Sequence, residues 1–147
     1  MVLRGLTEVG RDALAHEIGR NHLDNVVEVF EKTGTVYENY APESAAPGAP
    51  AKPDFVGWTG LPPIAVLLEY VFGLRPDAAA RRLLWDVRLT EAHGVRRYPL
   101  GADVSIDLSC AARRSTAEPP RIEATASAPV ELDGRWAGGS RVLNVGR

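Results

Sequence analysis

The spacing of apolar residues changes near residue 75, and this change constrains the fold more than any other feature of the sequence. Before it, apolar residues recur at the spacing of one helical face: Val9, Ala13, Leu14, Ile18, Leu23, Val26, Val27 and Phe30. After it, Leu83, Trp85, Val87 and Leu89 follow the two-residue period of a strand. Helices followed by strands predict the α+β class, with a helical region over 1–75 and a β-strand region over 76–147.

The helical region divides into two helices and a long loop. The apolar stripe predicts one helix from about Leu6 to Lys32, which Thr33-Gly34 ends because glycine readily takes the left-handed conformation that closes helices. Prolines at 42, 47, 50 and 53 predict a loop over 41–53. The apolar run from Ile64 to Phe72 then predicts a buried helix that ends at Gly73.

The second region consists of short strand-like runs between turns. The alternation from Leu83 to Leu89 predicts a strand, although a short helix that starts at Asp77 is the alternative. Further runs over 104–111, 121–127, 130–136 and 141–145 are separated by Gly, Pro and polar residues. Together they predict a small antiparallel sheet or sandwich.

Composition excludes several classes of protein. The formal net charge is −2 and the paired arginines are scattered, so neither nucleic acid nor an anionic membrane is an expected partner. No apolar run is long enough to span a bilayer or to form the core of a signal peptide. Cys110 is the only cysteine, which rules out an intrachain disulfide and favours the cytoplasm.

The residues best suited to chemistry lie in TGTVYENYAPES, residues 33–44, and KPDFVGWTGLPP, residues 52–63. The first segment places the carboxylate of Glu38 among Tyr37, Asn39 and Tyr40, and the second adds Asp54, Phe55 and Trp58. Aromatic faces bind the C–H surfaces of sugars, polar groups bind their hydroxyls, and carboxylates act as acid and base in glycoside hydrolysis. The two segments therefore predict a carbohydrate site.

These two segments resemble the C-terminal signature of trehalase-like glycosidases, which include trehalases, mannosylglycerate hydrolases and glucosidases of glycoside hydrolase family 63. Trehalases carry Glu-Lys-Tyr, a loop and then Phe-Gly-Trp-Thr-Asn-Gly. In this chain the first motif is similar to Glu38-Asn39-Tyr40 and the second to Phe55-Val56-Gly57-Trp58-Thr59-Gly60. This sequence departs from that pattern by one extra residue, Val56, and by Gly60 in place of asparagine.

The resemblance implies both a fold and a function. Residues 1–75 would be the last helices of a six-hairpin α/α toroid, with a catalytic-type loop over 33–62, and residues 76–147 would form an accessory β layer. Glu38 would be the general base of an inverting enzyme that hydrolyses a small α-glucoside or α-mannoside. The general acid of such enzymes lies in an earlier segment that has no counterpart here, so we expect a partner chain or self-association, and no cofactor or metal.

Each candidate also has a purely structural interpretation. Glu38 between helices is commonly a solvated or capping residue, Phe55 and Trp58 can close the loop as core aromatics, and Asp54 can order that loop. A carbohydrate-binding or interaction domain without catalysis is therefore the alternative function. His16 and His22 are six residues apart on a helix, which puts their imidazoles on different faces and argues against a zinc site.

Overall fold

The computed structural model describes residues 2–53 and 55–146, and the chain forms two compact units, Met1–Val71 and Phe72–Arg147. The first unit is helical and the second is built of strands, so the α+β class is confirmed. Each unit has its own internal packing.

The first unit begins with two helices, α1 (Val2–Glu8) and α2 (Asp12–Thr33). The prediction of one uninterrupted helix is wrong because the chain turns at Gly10, which has a φ of 73°. The backbone N–H of Gly10 donates to Thr7 O (3.1 Å) and that of Arg11 to Leu6 O (2.8 Å), the paired bonds of a Schellman helix end. The predicted stop after Thr33 is confirmed, since Gly34 has a φ of 76° and donates to Phe30 O.

The buried stripe of α2 differs from the predicted apolar stripe. Its residues are Ala15, Gly19, Val26 and Val29, and of these only Val26 belongs to the predicted set. Gly19 allows close packing, because a β-carbon there would lie 3.2 Å from side-chain atoms of Tyr70 and of Val66. At 100° per residue, Leu14 and Ile18 lie on one flank of the buried stripe and Val27 and Phe30 on the other, and all four are exposed.

The segment packed against α2 consists of α3 (Pro62–Val66) and one π-helical turn, Leu67–Val71. The predicted helix over this segment is therefore present, but it is not buried all round. Val71 is buried, whereas Ile64 is 60% exposed. The reason is that α2 covers only one side of so short a segment.

Seven strands form two sheets in the second unit. They are β1 (Leu74–Asp77), β2 (Arg82–Asp86), β3 (His93–Pro99), β4 (Ser105–Cys110), β5 (Ile122–Ala126), β6 (Val130–Trp136) and β7 (Gly139–Val145). One sheet has the order β1-β2-β6-β7 and the other β3-β4-β5. The four later strands that the sequence predicts are confirmed as β4 to β7, with bounds that agree within three residues.

The start of this unit differs from the sequence prediction. Asp77 ends β1 instead of starting a helix, and its carboxylate accepts the N–H of Ala80 (3.1 Å) in the turn before β2. Strand β2 pairs in parallel with β6, from Arg82 opposite Glu131 to Asp86 opposite Arg135. The four-stranded sheet is therefore mixed, and the prediction of a wholly antiparallel layer is wrong for this pair.

The core of the second unit is built around Trp85, which is buried and donates its indole N–H to Phe72 O (2.9 Å). The His93 ring stacks on Phe72 and meets Trp85 edge-on, with centroid separations of 5.8 and 5.7 Å. The alternating side chains of the strands supply the rest of the core, including Leu83, Ile106 and Leu132.

The predicted six-hairpin toroid is contradicted. The structure is a small α+β fold with three helices, and helix accounts for only about 29% of the chain. A helical hairpin needs two long antiparallel helices, whereas α2 is the one described helix longer than two turns. None of the described helices is both long and apolar enough to cross a bilayer.

Candidate functional site

The loop after α2 carries most of the predicted site residues, and backbone hydrogen bonds hold it in shape. Ala41 N–H donates to Ala46 O (2.9 Å), and Gly48 N–H donates to Asn39 O (3.1 Å). The Asn39 side chain donates to Pro50 O (3.2 Å), so its amide is committed to the loop. Asn39, predicted to contact substrate, thus has a structural partner within the loop.

The two tyrosines of this loop act as anchors. Tyr37 is buried, and its backbone N–H donates to the Tyr40 hydroxyl (3.2 Å). The Tyr40 ring is half-buried and meets His22 of α2 edge-on, with ring centroids 6.4 Å apart. These contacts fix the backbone of Glu38, which lies between the two tyrosines in sequence.

Glu38 is where the two predicted segments meet. Its backbone carbonyl accepts the hydroxyl of Thr59, and its side chain lies over Gly57. A β-carbon built on Gly57 would be 3.0 Å from Glu38 Cγ and 3.3 Å from its Oε1, and the φ of 57° at Gly57 also favours glycine. The close approach of the carboxylate to this backbone therefore depends on glycine.

The Glu38 carboxylate is exposed to solvent. Within residues 2–53 and 55–146 it forms no hydrogen bond or ion pair. A carboxylate without a protein partner retains its lone pairs for a water molecule or a hydroxyl group. This is one of the conditions that a general base must meet.

The aromatic residues of the second segment are also exposed. Trp58 lies in a short 3-10 helix, Gly57–Gly60, and is 85% exposed, while Phe55 is 48% exposed. Neither closes the loop as a core aromatic, which was the structural interpretation of both. Asp54, the remaining predicted residue, lies outside the described residues.

A groove of about 390 Å³ runs between α2 and the turn that follows Tyr40. His22, Asn21 and Asn25 line one side, and Tyr40, Glu43 and Ser44 line the other. Asn25 donates its side-chain N–H to Asn21 O (2.9 Å), which leaves its amide oxygen available. His16 does not share this groove, since its Nδ1 lies 3.1 Å from Tyr70 O.

His22 is a candidate metal ligand in the sequence, and no sequence motif gives Asn21 or Asn25 a role. Asn21, His22 and Asn25 have the three- and four-residue spacing of one helical face, and this spacing could have identified them as a polar surface. That the loop folds back over this surface follows only from the structure. Comparisons with protein-family models, with curated proteins and with solved structures found no match to this chain.

Proposed function

We propose that this chain supplies the general-base part of an inverting glycoside hydrolase, in which Glu38 activates the water that attacks an α-glycosidic bond. The observation that carries the proposal is the exposed Glu38 carboxylate, which has no partner among the described residues and lies between two anchored tyrosines and against Gly57. The substrate class is a small α-glucoside or α-mannoside. The single cysteine, Cys110, supports a cytoplasmic location.

The chemistry assigned to Glu38 is the removal of a proton from water as the water oxygen bonds to the anomeric carbon. The bond to the leaving group breaks on the opposite face, so the configuration inverts. A natural sugar leaving group must also be protonated by a general acid, and we assign that group to a partner chain or partner segment. The isolated chain should therefore hydrolyse trehalose and other unactivated α-glycosides very poorly.

Glycosyl fluorides test the base separately from the acid, because fluoride leaves without being protonated. We expect the chain to release fluoride from α-glucosyl fluoride and to form β-glucose first, as measured by a fluoride electrode and proton NMR. Glu38→Gln should lower this rate by about 10²-fold or more, because general bases contribute roughly 10²–10⁴-fold. Glu31→Gln, the same substitution at an exposed position of α2, is the matched control and should leave the rate unchanged.

Azide provides a second measurement on the same residue. In Glu38→Ala, a small anion can occupy the position of the activated water, so added azide should restore fluoride release and yield β-glucosyl azide. Two results would show that Glu38 is not the base. Glu38→Gln would release fluoride at the wild-type rate, or azide would accelerate fluoride release by the Glu31→Ala control as much as by Glu38→Ala.

A sugar-binding role without catalysis is the second candidate, and the exposure of Trp58 favours it. An indole that is 85% exposed offers a flat apolar face to the C–H surface of a sugar. Saturation-transfer NMR with methyl α-glucoside should show binding that Trp58→Ala weakens and Glu38→Gln retains. Binding of this kind together with no fluoride release by the wild-type chain would favour the binding domain over the hydrolase.

A further inference from the structure

The connection between β4 and β5 carries three arginines that line one groove. Arg113, Arg114 and Arg121 share a groove of about 570 Å³ with Ala112, Glu118 and Pro119. The groove lies within the β-strand unit and does not involve the loop that carries Glu38. The inference drawn from it is therefore independent of the proposed glycoside chemistry.

Arg113 organises the groove through neutral acceptors alone. Its guanidinium donates to Val87 O (2.6 Å) and Glu118 O (2.7 Å), and also to Leu89 O and Thr116 O (3.3 Å each). It is half-buried, and within residues 2–53 and 55–146 it forms no ion pair with a carboxylate. A positive charge that is partly removed from water and lacks a counter-charge attracts an anion from solution.

Among the described residues, one carboxylate lines the groove, that of Glu118, and it can balance at most one of the three arginine charges. Glu118 accepts the backbone N–H of Arg114 through Oε2 (2.8 Å), so this oxygen is committed to holding the turn. The side chains of Arg114 and Arg121 are exposed, and neither pairs with a carboxylate of the described residues. Three arginines thus line one groove together with one acidic residue, so the lining carries a net positive charge.

We propose that this groove binds a phosphoryl group, either as inorganic phosphate or as a phosphate monoester. Guanidinium forks match the oxygen spacing of phosphate and can bind two oxygens at once, and those of Arg114 and Arg121 have no side-chain partner among the described residues. Arg113 holds the backbone of the segment with Val87 and Leu89 against that of the segment with Thr116 and Glu118. The bound anion supplies negative charge to a groove that is lined by three arginines. Arg114 and Arg121 are the binding residues, and Arg113 is a positioning residue.

The experiment is a titration of the full chain with sodium phosphate and with methyl phosphate, at constant ionic strength and with chloride as the reference anion. The changes in the amide chemical shifts of the protein measure binding. Arg114→Ala and Arg121→Ala should each raise the Kd for phosphate roughly two- to fivefold, the effect of losing one exposed charge pair. Arg96→Ala is the matched control, since Arg96 is an exposed arginine of β3 outside this groove, and it should leave the Kd unchanged.

Glu118→Gln is the most discriminating variant because it should strengthen binding. Glutamine keeps an oxygen that can accept the Arg114 N–H, and it lacks the negative charge with which Glu118 repels phosphate. The Kd for phosphate should therefore fall roughly two- to fivefold. A loss of structure could only weaken binding and cannot mimic this gain. Tighter binding of methyl phosphate than of phosphate identifies a phosphorylated ligand, whereas equal affinity identifies free phosphate.

Three results would overturn the proposal. The first is that phosphate shifts the amides near Arg114 and Arg121 no more than chloride does. The second is that the Arg96→Ala control weakens binding as much as Arg121→Ala, which would mean that only net charge matters. The third is that Glu118→Gln leaves the Kd of phosphate unchanged, which would place the anion outside the groove.

Discussion

Gly73→Ala should be one of the most destabilising single-methyl additions in the β-strand unit. Gly73 has a φ of 77°, and a β-carbon there would overlap the carbonyl oxygen of Asp86 and lie 2.9 Å from its carbonyl carbon. The neighbour is backbone and cannot rotate away. The clash also falls where Asp86 N–H donates to Gly73 O (2.9 Å), so relief of the clash breaks this hydrogen bond.

The expected cost can be divided into two parts. A left-handed backbone costs a residue with a β-carbon about 1–2 kcal/mol, and a lost buried hydrogen bond costs about 1–3 kcal/mol. We therefore expect Gly73→Ala to lower the free energy of unfolding by about 3 kcal/mol. Gly101→Ala is the matched control: its φ is 84°, and its β-carbon would meet only the Ala78 side chain, at 3.4 Å. It should cost about 1–2 kcal/mol, the backbone strain alone.

Native-state amide hydrogen exchange is the appropriate assay, because protection in β2 and β6 reports opening of the β-strand unit without reference to the helical one. The difference between the two variants isolates the clash. If Gly73→Ala and Gly101→Ala lower the protection of these strands equally, the close approach of Gly73 to Asp86 does not exist in solution.

Three further predictions follow from other features of the structure. Gly57→Ala should displace the Glu38 side chain and slow fluoride release. Gly34→Ala, with a similar φ and open space around it, should change stability only, and equal rates of fluoride release in the two variants would refute the contact between Gly57 and Glu38. Burial raises the pKa of the Cys110 thiol above its ordinary value of 9.0, against an opposing effect of Arg113. Above pH 9 the Cys110 thiol therefore keeps its proton in the folded state and loses it in the unfolded state, which destabilises the folded state. The urea midpoint should fall more steeply above pH 9 for the wild type than for Cys110→Ala. Finally, the exposed apolar flanks of α2 should make the isolated chain self-associate and bind apolar dyes; a monodisperse monomer by light scattering, with no dye binding, would contradict this.

Elements that depend on neighbours in sequence could be predicted from the sequence. Gly34 ends α2 because a left-handed residue closes a helix wherever it occurs, and strand-like runs between Gly, Pro and polar turns identify β4 to β7 without any partner. The same local reasoning missed the break at Gly10, since the apolar stripe continues across it. The candidate site was predicted as a set of residues, and Glu38 does meet the second segment at Gly57.

The resemblance to trehalase-like enzymes rested on two short segments of a loop. Such segments contain residues that could surround a sugar. They contain no information on how many helices the rest of the fold has. The predicted toroid was therefore wrong, although the proposed role of Glu38 does not depend on it. The role remains to be tested by the fluoride experiment.

Hydrophobic periodicity by itself determined the order of helices and strands, because it depends on residues a few positions apart. The tertiary structure decided which part of each apolar surface is covered: it buries Val26 and leaves Val27 and Phe30 in water. It also decided the parallel pairing of β2 with β6 and the hydrogen bonds that Arg113 makes to Val87 and Leu89. These contacts join residues distant in sequence, and their geometry depends on the packing of the whole unit, which no local pattern contains.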